Sequence, residues 1–272
     1  MPDLATLLPM IVLLIGIGAV AGVVAGLLGV GGGIVLVPAF FYAFTGLGYG
    51  GPQVMQICVA TSLATIIITS PRSVLSHNKK GAVDWQFLKA WAPFIIVGAL
   101  AGTFAATQVK SVVLQVVFGV LAGLAGLYMA FGKSSWRLGD GLPGQPASGI
   151  MATTLAFFSA MMGIGGGTFG VPLMTLYSVP IHRAVGTAAG IGVLIAVPSV
   201  IGFLFLFVEN APPFTLGAVN LPAFLVVIGS TMLTTPLGAK LAHSMNPQPL
   251  KRAFAVFLTL VALNMLRKVA GW

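Results

Sequence analysis

Two stretches of this chain combine residues in a way that could hold a charged solute. The first, GLLGVGGGIVLVPAF, runs from Gly26 to Phe40, and the second, AMMGIGGGTFGVPLM, from Ala160 to Met174. Each has a hydrophobic run, a G-x-G-G-G core, and a second hydrophobic run with Val-Pro four residues on. Glycine costs about 1 kcal/mol against alanine in a helix interior, so such a cluster breaks a helix. A new helix then starts near Ile34 and near Thr168. Its first amides lack intrahelical acceptors and sit at the positive end of the dipole, and neither start has an Asp or Asn cap. Buried donors of this kind suit an anion, and glycine lets it approach the backbone. The candidate binding groups are therefore Gly31, Gly32 and Gly33 in the first copy, and Gly165, Gly166, Gly167 and Thr168 in the second. Neither copy fits the nucleotide-phosphate patterns.

The segments after the two breaks also match each other. Ala60-Thr61-Ser62 pairs with Gly186-Thr187-Ala188. The hydroxyls of Thr61, Ser62 and Thr187 can donate to an oxyanion, and Gln56 lies about one helical turn earlier. The competing reading is that Ser and Thr in membrane helices bond their own i−4 carbonyls. Ser62 has Ala188 opposite it, so the two half-sites are not equivalent. Arg72, His182 and Arg183 fall near span ends, where they would line a vestibule or snorkel to headgroups. The acids are Asp3, Asp84, Asp140 and Glu209, all expected in loops or termini. No nucleophile–base pair or metal-ligand set is visible within the apolar runs, so neither an enzyme, a cofactor nor a resident metal is expected.

The elements that must position these groups are set by composition. The 272 residues are 58% hydrophobic and 6% charged, with a mean hydropathy of +1.06. A soluble domain carries about 25% charged residues, so lipid is the expected solvent. The net charge of +9 comes from Lys and Arg between apolar runs, which is positive-inside bias and not a nucleic-acid face. The lone Cys58 makes neither an internal disulfide nor a zinc site. Trp85, Trp91 and Trp136 suit an interfacial belt. Glycine pairs such as Gly98/Gly102 and Gly119/Gly123 have the spacing of helix-packing motifs.

In order, the apolar runs are 4–28, 34–44, 54–70, 87–107 and 112–131, then 148–162, 168–179, 184–208, 221–242 and 250–269. The polar segment 132–147 separates an N-terminal unit, 1–131, from a C-terminal unit, 148–272. The arms around the second glycine cluster are too short to cross a ~30 Å hydrocarbon core, which suits a re-entrant hairpin. Lys133 and Arg137 place the linker in the cytoplasm. Counting spans outward from it puts the Arg72–Lys80 loop inside and the 209–220 loop, which has no Lys or Arg, outside. Lys110 and Arg267-Lys268 then fall outside, against the bias. The first hairpin enters from outside and the second from inside. The expected fold is thus all-α and polytopic, with two inverted-topology repeats, each a glycine-broken hairpin plus three transmembrane helices. Eight full spans are the alternative, because 4–28 is long enough to cross.

The paired G-x-G-G-G…Val-Pro motifs at 29–38 and 163–172, in a chain of this length with a basic central linker, resemble the TauE/SafE family. The resemblance covers nearly the whole chain. It implies a bacterial-type inner-membrane permease of about seven or eight helices that exports sulfite, sulfoacetate or related organosulfonates, although some members are described as importers. It carries the glycines at 29–33 and 163–167, with Thr61 and Thr187, over to this chain. The expected function is a secondary transporter of a small sulfur-containing anion working by alternating access. An anion channel, an importer of another anion and a membrane scaffold stand as alternatives. The expected partners are that anion, the bilayer and, as the alternative to a monomer, a second copy of the chain; nucleic acid is not expected.

Overall fold

The computed structural model describes residues 4–28, 32–132, 136–244 and 247–269. The helices are α1 (Leu4–Leu28), α2 (Gly33–Gly46), α3 (Val54–Asn78), α4 (Trp85–Gln108) and α5 (Ser111–Phe131), then α6 (Ala147–Met162), α7 (Gly167–Leu176), α8 (Ile181–Leu204), α9 (Leu221–Ser244) and α10 (Pro247–Val269). Five of them, residues 54–78, 85–108, 111–131, 181–204 and 221–238, are long and apolar enough to cross a membrane. Large apolar side chains point outward along these helices, among them Phe104 at 68% and Leu233 at 78% exposed. Water would penalise that surface and lipid does not. The chain is a multi-pass, helical membrane protein.

Helix α3 is the centre of the bundle, with 83% of its apolar window buried. It packs along α8 and also touches α2 and α9; α8 in turn touches α7 and α4. Outside them, α1 lies along α9, α6 along α4, and α5 along α10. Small residues set the close approaches, because a side chain there would collide with the neighbouring backbone. Gly102 of α4 sits on the Phe157 carbonyl of α6, and Gly238 of α9 sits on the Val23 carbonyl of α1. Two pairs run antiparallel. On α5 and α10, Gly119 meets Leu266 while Gly126 meets Ala255 and Thr259; on α3 and α8, Ser70 lies by Gly192 while His77 lies by Gly186.

Helix ends follow local chemistry. Asp84 caps α4 by accepting the Phe87 N–H at 3.0 Å, and Asn220 does the same for α9 through the Ala223 N–H at 3.0 Å. Gly163 closes α6 at φ 69°, with the Ile164 N–H bonded back to Ser159 O at 3.0 Å.

Four local expectations change. Helix α3 does not stop near Ser70; it continues to Asn78 through Pro71. Burial of Ser73, Val74 and His77 against the bundle outweighs the backbone bond that proline removes. Arg72 is therefore on the exposed side of a helix and not at its end. Trp91 is not at an interface: it is 3% exposed and packs on Phe87 at 4.3 Å between ring centroids. The stretch 209–220 is not a plain loop. It holds a two-stranded ribbon, β1 (Thr215–Leu216) and β2 (Val219–Asn220), anchored where the Ala218 N–H donates to Phe203 O at 3.0 Å.

Candidate functional site

The two glycine breaks lie against each other in the protein interior. Residues 32–40 and 163–168 are buried throughout, so the non-helical backbone is enclosed by protein, as a membrane requires. Gly33 abuts the Gly163 carbonyl, and a methyl group on it would also lie 2.9 Å from Ser62 Oγ and 3.0 Å from Ile164 Cα. The Ser62 hydroxyl donates to Gly163 O at 2.7 Å. Gly32 enters α2 at φ 77°, a conformation L side chains rarely adopt. Gly31 lies outside the described residues.

Both helices that leave the breaks start without a side-chain cap. The ladder of α2 first closes where the Val35 and Leu36 amides reach Gly32 O, and that of α7 where the Gly170 N–H reaches Gly166 O. The amides ahead of these bonds, at Gly33–Ile34 and Gly167–Phe169, have no intrahelical acceptor. Thr168 is 6% exposed, and its Oγ1 has no hydrogen-bond partner. Gly166 is wedged against Ile191 and the Ala188 carbonyl of α8. Beside it the chain is close-packed at Gly192: a methyl placed there would lie 2.9 Å from Ser70 Oγ, 3.5 Å from Gly166 N and 3.6 Å from Ile66 Cγ2. Ser70 is 2% exposed. Ser70 was not among the residues that the sequence put forward for the site. Its position sixteen residues into the most buried helix, on the face that carries Ser62, was the available signal.

Other candidates are held elsewhere. Gln56 is fully buried, and its Nε2 donates to the last carbonyls of α4, Val109 O at 2.6 Å and Ala106 O at 3.2 Å. Thr61 Oγ1 accepts the Asn220 N–H, and Thr187 Oγ1 accepts the Asp84 N–H, both at 3.0 Å. These threonines tie α3 to the start of α9 and α8 to the start of α4. Arg183, at the start of α8, pairs with Asp84 at 2.8 Å; His182 beside it is exposed, as is Arg72. The structure thus brings together Gly32, Gly33, Ser62 and the second break. It places Gln56, Thr61 and Thr187 at helix ends, and the three basic residues at the surface.

A buried pair of backbone breaks sits inside a sheath of apolar helices, and the family and its relatives indicate that the chain is a membrane transporter. The chain belongs to the TauE/SafE family: the family described as "Sulfite exporter TauE/SafE" matches residues 14–265. A probable membrane transporter protein of Haemophilus influenzae is 32% identical over 262 residues, covering 95% of this chain and 98% of the relative. Probable membrane transporter proteins of Methanocaldococcus jannaschii and Bacillus subtilis are 25% and 26% identical, with at least 93% of each chain covered. No solved structure matches the chain.

Proposed function

We propose that this protein carries a small sulfur-containing oxyanion, of the sulfite or organosulfonate class, outward across the inner membrane by alternating access. The substrate class and direction follow the family's description. The observation that carries the mechanism is the contact between Gly33 and Gly163, which sets the uncapped start of α2 against the end of α6, four residues before the uncapped start of α7. Amides directed at an oxyanion in a low-dielectric interior stabilise it without a counter-charge. Ser70 Oγ and Gly166 N meet at Gly192 and would take substrate oxygens when that contact opens. Because the breaks touch, an inserted substrate would separate Gly33 from Gly163, which couples binding to movement of α2 against the end of α6.

The inverted-repeat reading supports alternation. Exchanging the halves swaps α1 with α6, α2 with α7, α3 with α8, α4 with α9 and α5 with α10. The principal pairings survive that exchange, since α1–α9 becomes α6–α4 and α3–α9 becomes α8–α4. So do the contacts Gly102–Phe157 and Gly238–Val23, and the bonds from Asp84 to Thr187 and Asn220 to Thr61. The pairs α3–α8 and α5–α10 map onto themselves and run antiparallel. A two-fold that relates antiparallel membrane-crossing helices lies in the membrane plane, the symmetry of inverted repeats. The test is sulfite flux in proteoliposomes. Saturable flux accelerated by sulfite on the opposite side supports a carrier; non-saturating flux would replace it with a channel.

A further inference from the structure

A cavity lies away from the glycine breaks, at the end of the bundle where α3 and α5 begin. It encloses about 230 Å³ and is lined by Phe41 and Thr45 of α2, Gly51 and Pro52 of the connecting loop, and the first turns of α3 and α5. From Val54, at its rim, to Ser70 is about 24 Å along α3. It is therefore distinct from the proposed transport site.

The electrostatics of this cavity have one sign. Two long helices start at it, and neither N-cap residue, Gln53 or Lys110, makes a side-chain capping bond. In α5 the Ser111 N–H is taken by Pro52 O, and those of Val113 and Leu114 by Lys110 O, which leaves the Val112 N–H at the lining. Lys110 lines the cavity and is solvent-exposed. Gln115 also lines it. That side chain is 8% exposed and makes no hydrogen bond with the described residues. Its place at the cavity wall leaves the amide open to a ligand. Ser111 Oγ accepts the Met55 N–H at 3.0 Å and keeps its own proton to donate.

Further positive charge gathers at the same end. Lys268 Nζ lies 5.1 Å from the Phe41 ring centre and 4.8 Å from that of Tyr42, and Arg267 precedes it in the chain. The acidic residue nearby is Glu209, whose backbone N–H reaches Gln53 Oε1 at 3.4 Å. Lys110, Arg267 and Lys268 are the cations that the loop-charge pattern leaves on the outer face, against the usual bias. A binding role accounts for that departure.

We propose that this cavity binds an oxyanion head bearing a short apolar group. Lys110, the Gln115 amide and the α5 amides would hold the oxygens, and Phe41, Pro52 and Val112 would cover the apolar part. The volume is below the roughly 300–1,000 Å³ of drug-sized sites, which fits a small guest or a headgroup. The same chemistry is offered by a free organic anion and by an anionic lipid headgroup.

The test uses the full chain purified in a neutral detergent. Ethanesulfonate binding is measured by equilibrium dialysis, and phosphatidylglycerol retention by native mass spectrometry. Both are repeated on Lys110→Gln, Gln115→Leu and Gly51→Leu. The Cβ position of Gly51 meets nothing within 4 Å, so that variant fills the cavity without disturbing the fold. Ethanesulfonate binding that falls at least tenfold in all three variants, and persists in Gly192→Ala, assigns the site to a free anion. Loss of lipid adducts in the three variants, with ethanesulfonate binding unaffected, assigns it to a headgroup. If all three variants keep both ligands at wild-type levels, or the wild type binds neither, the proposal is overturned.

Discussion

Thr187 Oγ1 accepts the backbone N–H of Asp84 at 3.0 Å, so the second turn of α8 holds the first residue of the α4 cap. The bond from the Asn220 N–H to Thr61 Oγ1 is its counterpart, with the same length and the same role between α9 and α3. The surroundings differ. Asn220 is 3% exposed and also donates to Pro213 O and Thr215 Oγ1; Asp84 adds an ion pair with Arg183.

Removing either acceptor leaves a helix-start amide unsatisfied. Thr61→Val and Thr187→Val are each expected to lose about 1–3 kcal/mol, with Thr61→Val the larger because its site is drier. Thr→Ser at either position restores most of the loss. The check is the apparent Tm in detergent, compared with sulfite affinity measured well below it. Unchanged affinity in folded Thr→Val protein assigns both residues to architecture.

The Asp84 carboxylate has two roles that substitution separates. Asp84→Asn keeps the cap on Phe87 and removes the ion pair, whose side chains are 55% and 27% exposed; the loss is at most about 1 kcal/mol and vanishes in high salt. Asp84→Ala removes the cap as well, adding about 1 kcal/mol that salt does not erase. Thermal unfolding of both variants in low and high salt reads the difference.

Two glycines separate backbone strain from packing. Gly48 has φ 87° with nothing within 4 Å, so Gly48→Ala carries conformational strain alone, roughly 1 kcal/mol. Gly163 has φ 69°, and a methyl group there would lie 2.8 Å from Val59 Cα and 2.9 Å from Val37 Cγ2. Gly163→Ala therefore adds a collision, and a total loss above about 2 kcal/mol is expected. Equal apparent Tm values for the two variants would show that the break is not close-packed.

Much of the fold was legible because apolar runs and their interruptions are covalent facts of the sequence. The starts of α3 and α9, both ends of the α6 arm and the two broken elements lie where the runs place them. What escaped was set by tertiary contact. Proline at 71 suggested an end to α3, yet burial of Ser73 and His77 carries the helix on. The hydroxyls of Thr61 and Thr187 could serve a solute or the backbone, and only the fold shows them against the caps of α9 and α4. In a chain where the lipid-facing and core-facing sides are both apolar, periodicity could not separate Trp91 in the core from Trp136 at the surface. The approach of Ser70 to Gly166 depends on α3 crossing α8 at Gly192, which one sequence does not encode in any local pattern.

The central claim, that Ser70 Oγ and Gly166 N take substrate oxygens beside the second glycine break, is tested most directly by sulfite binding to Gly192→Ala. The added methyl would stand 2.9 Å from Ser70 Oγ and 3.5 Å from Gly166 N, so the Ser70 hydroxyl must turn away from this point. Equilibrium dialysis against labelled sulfite, on protein whose apparent Tm stays within a few degrees of wild type, is expected to show at least tenfold weaker binding. Wild-type affinity in that variant would contradict the account.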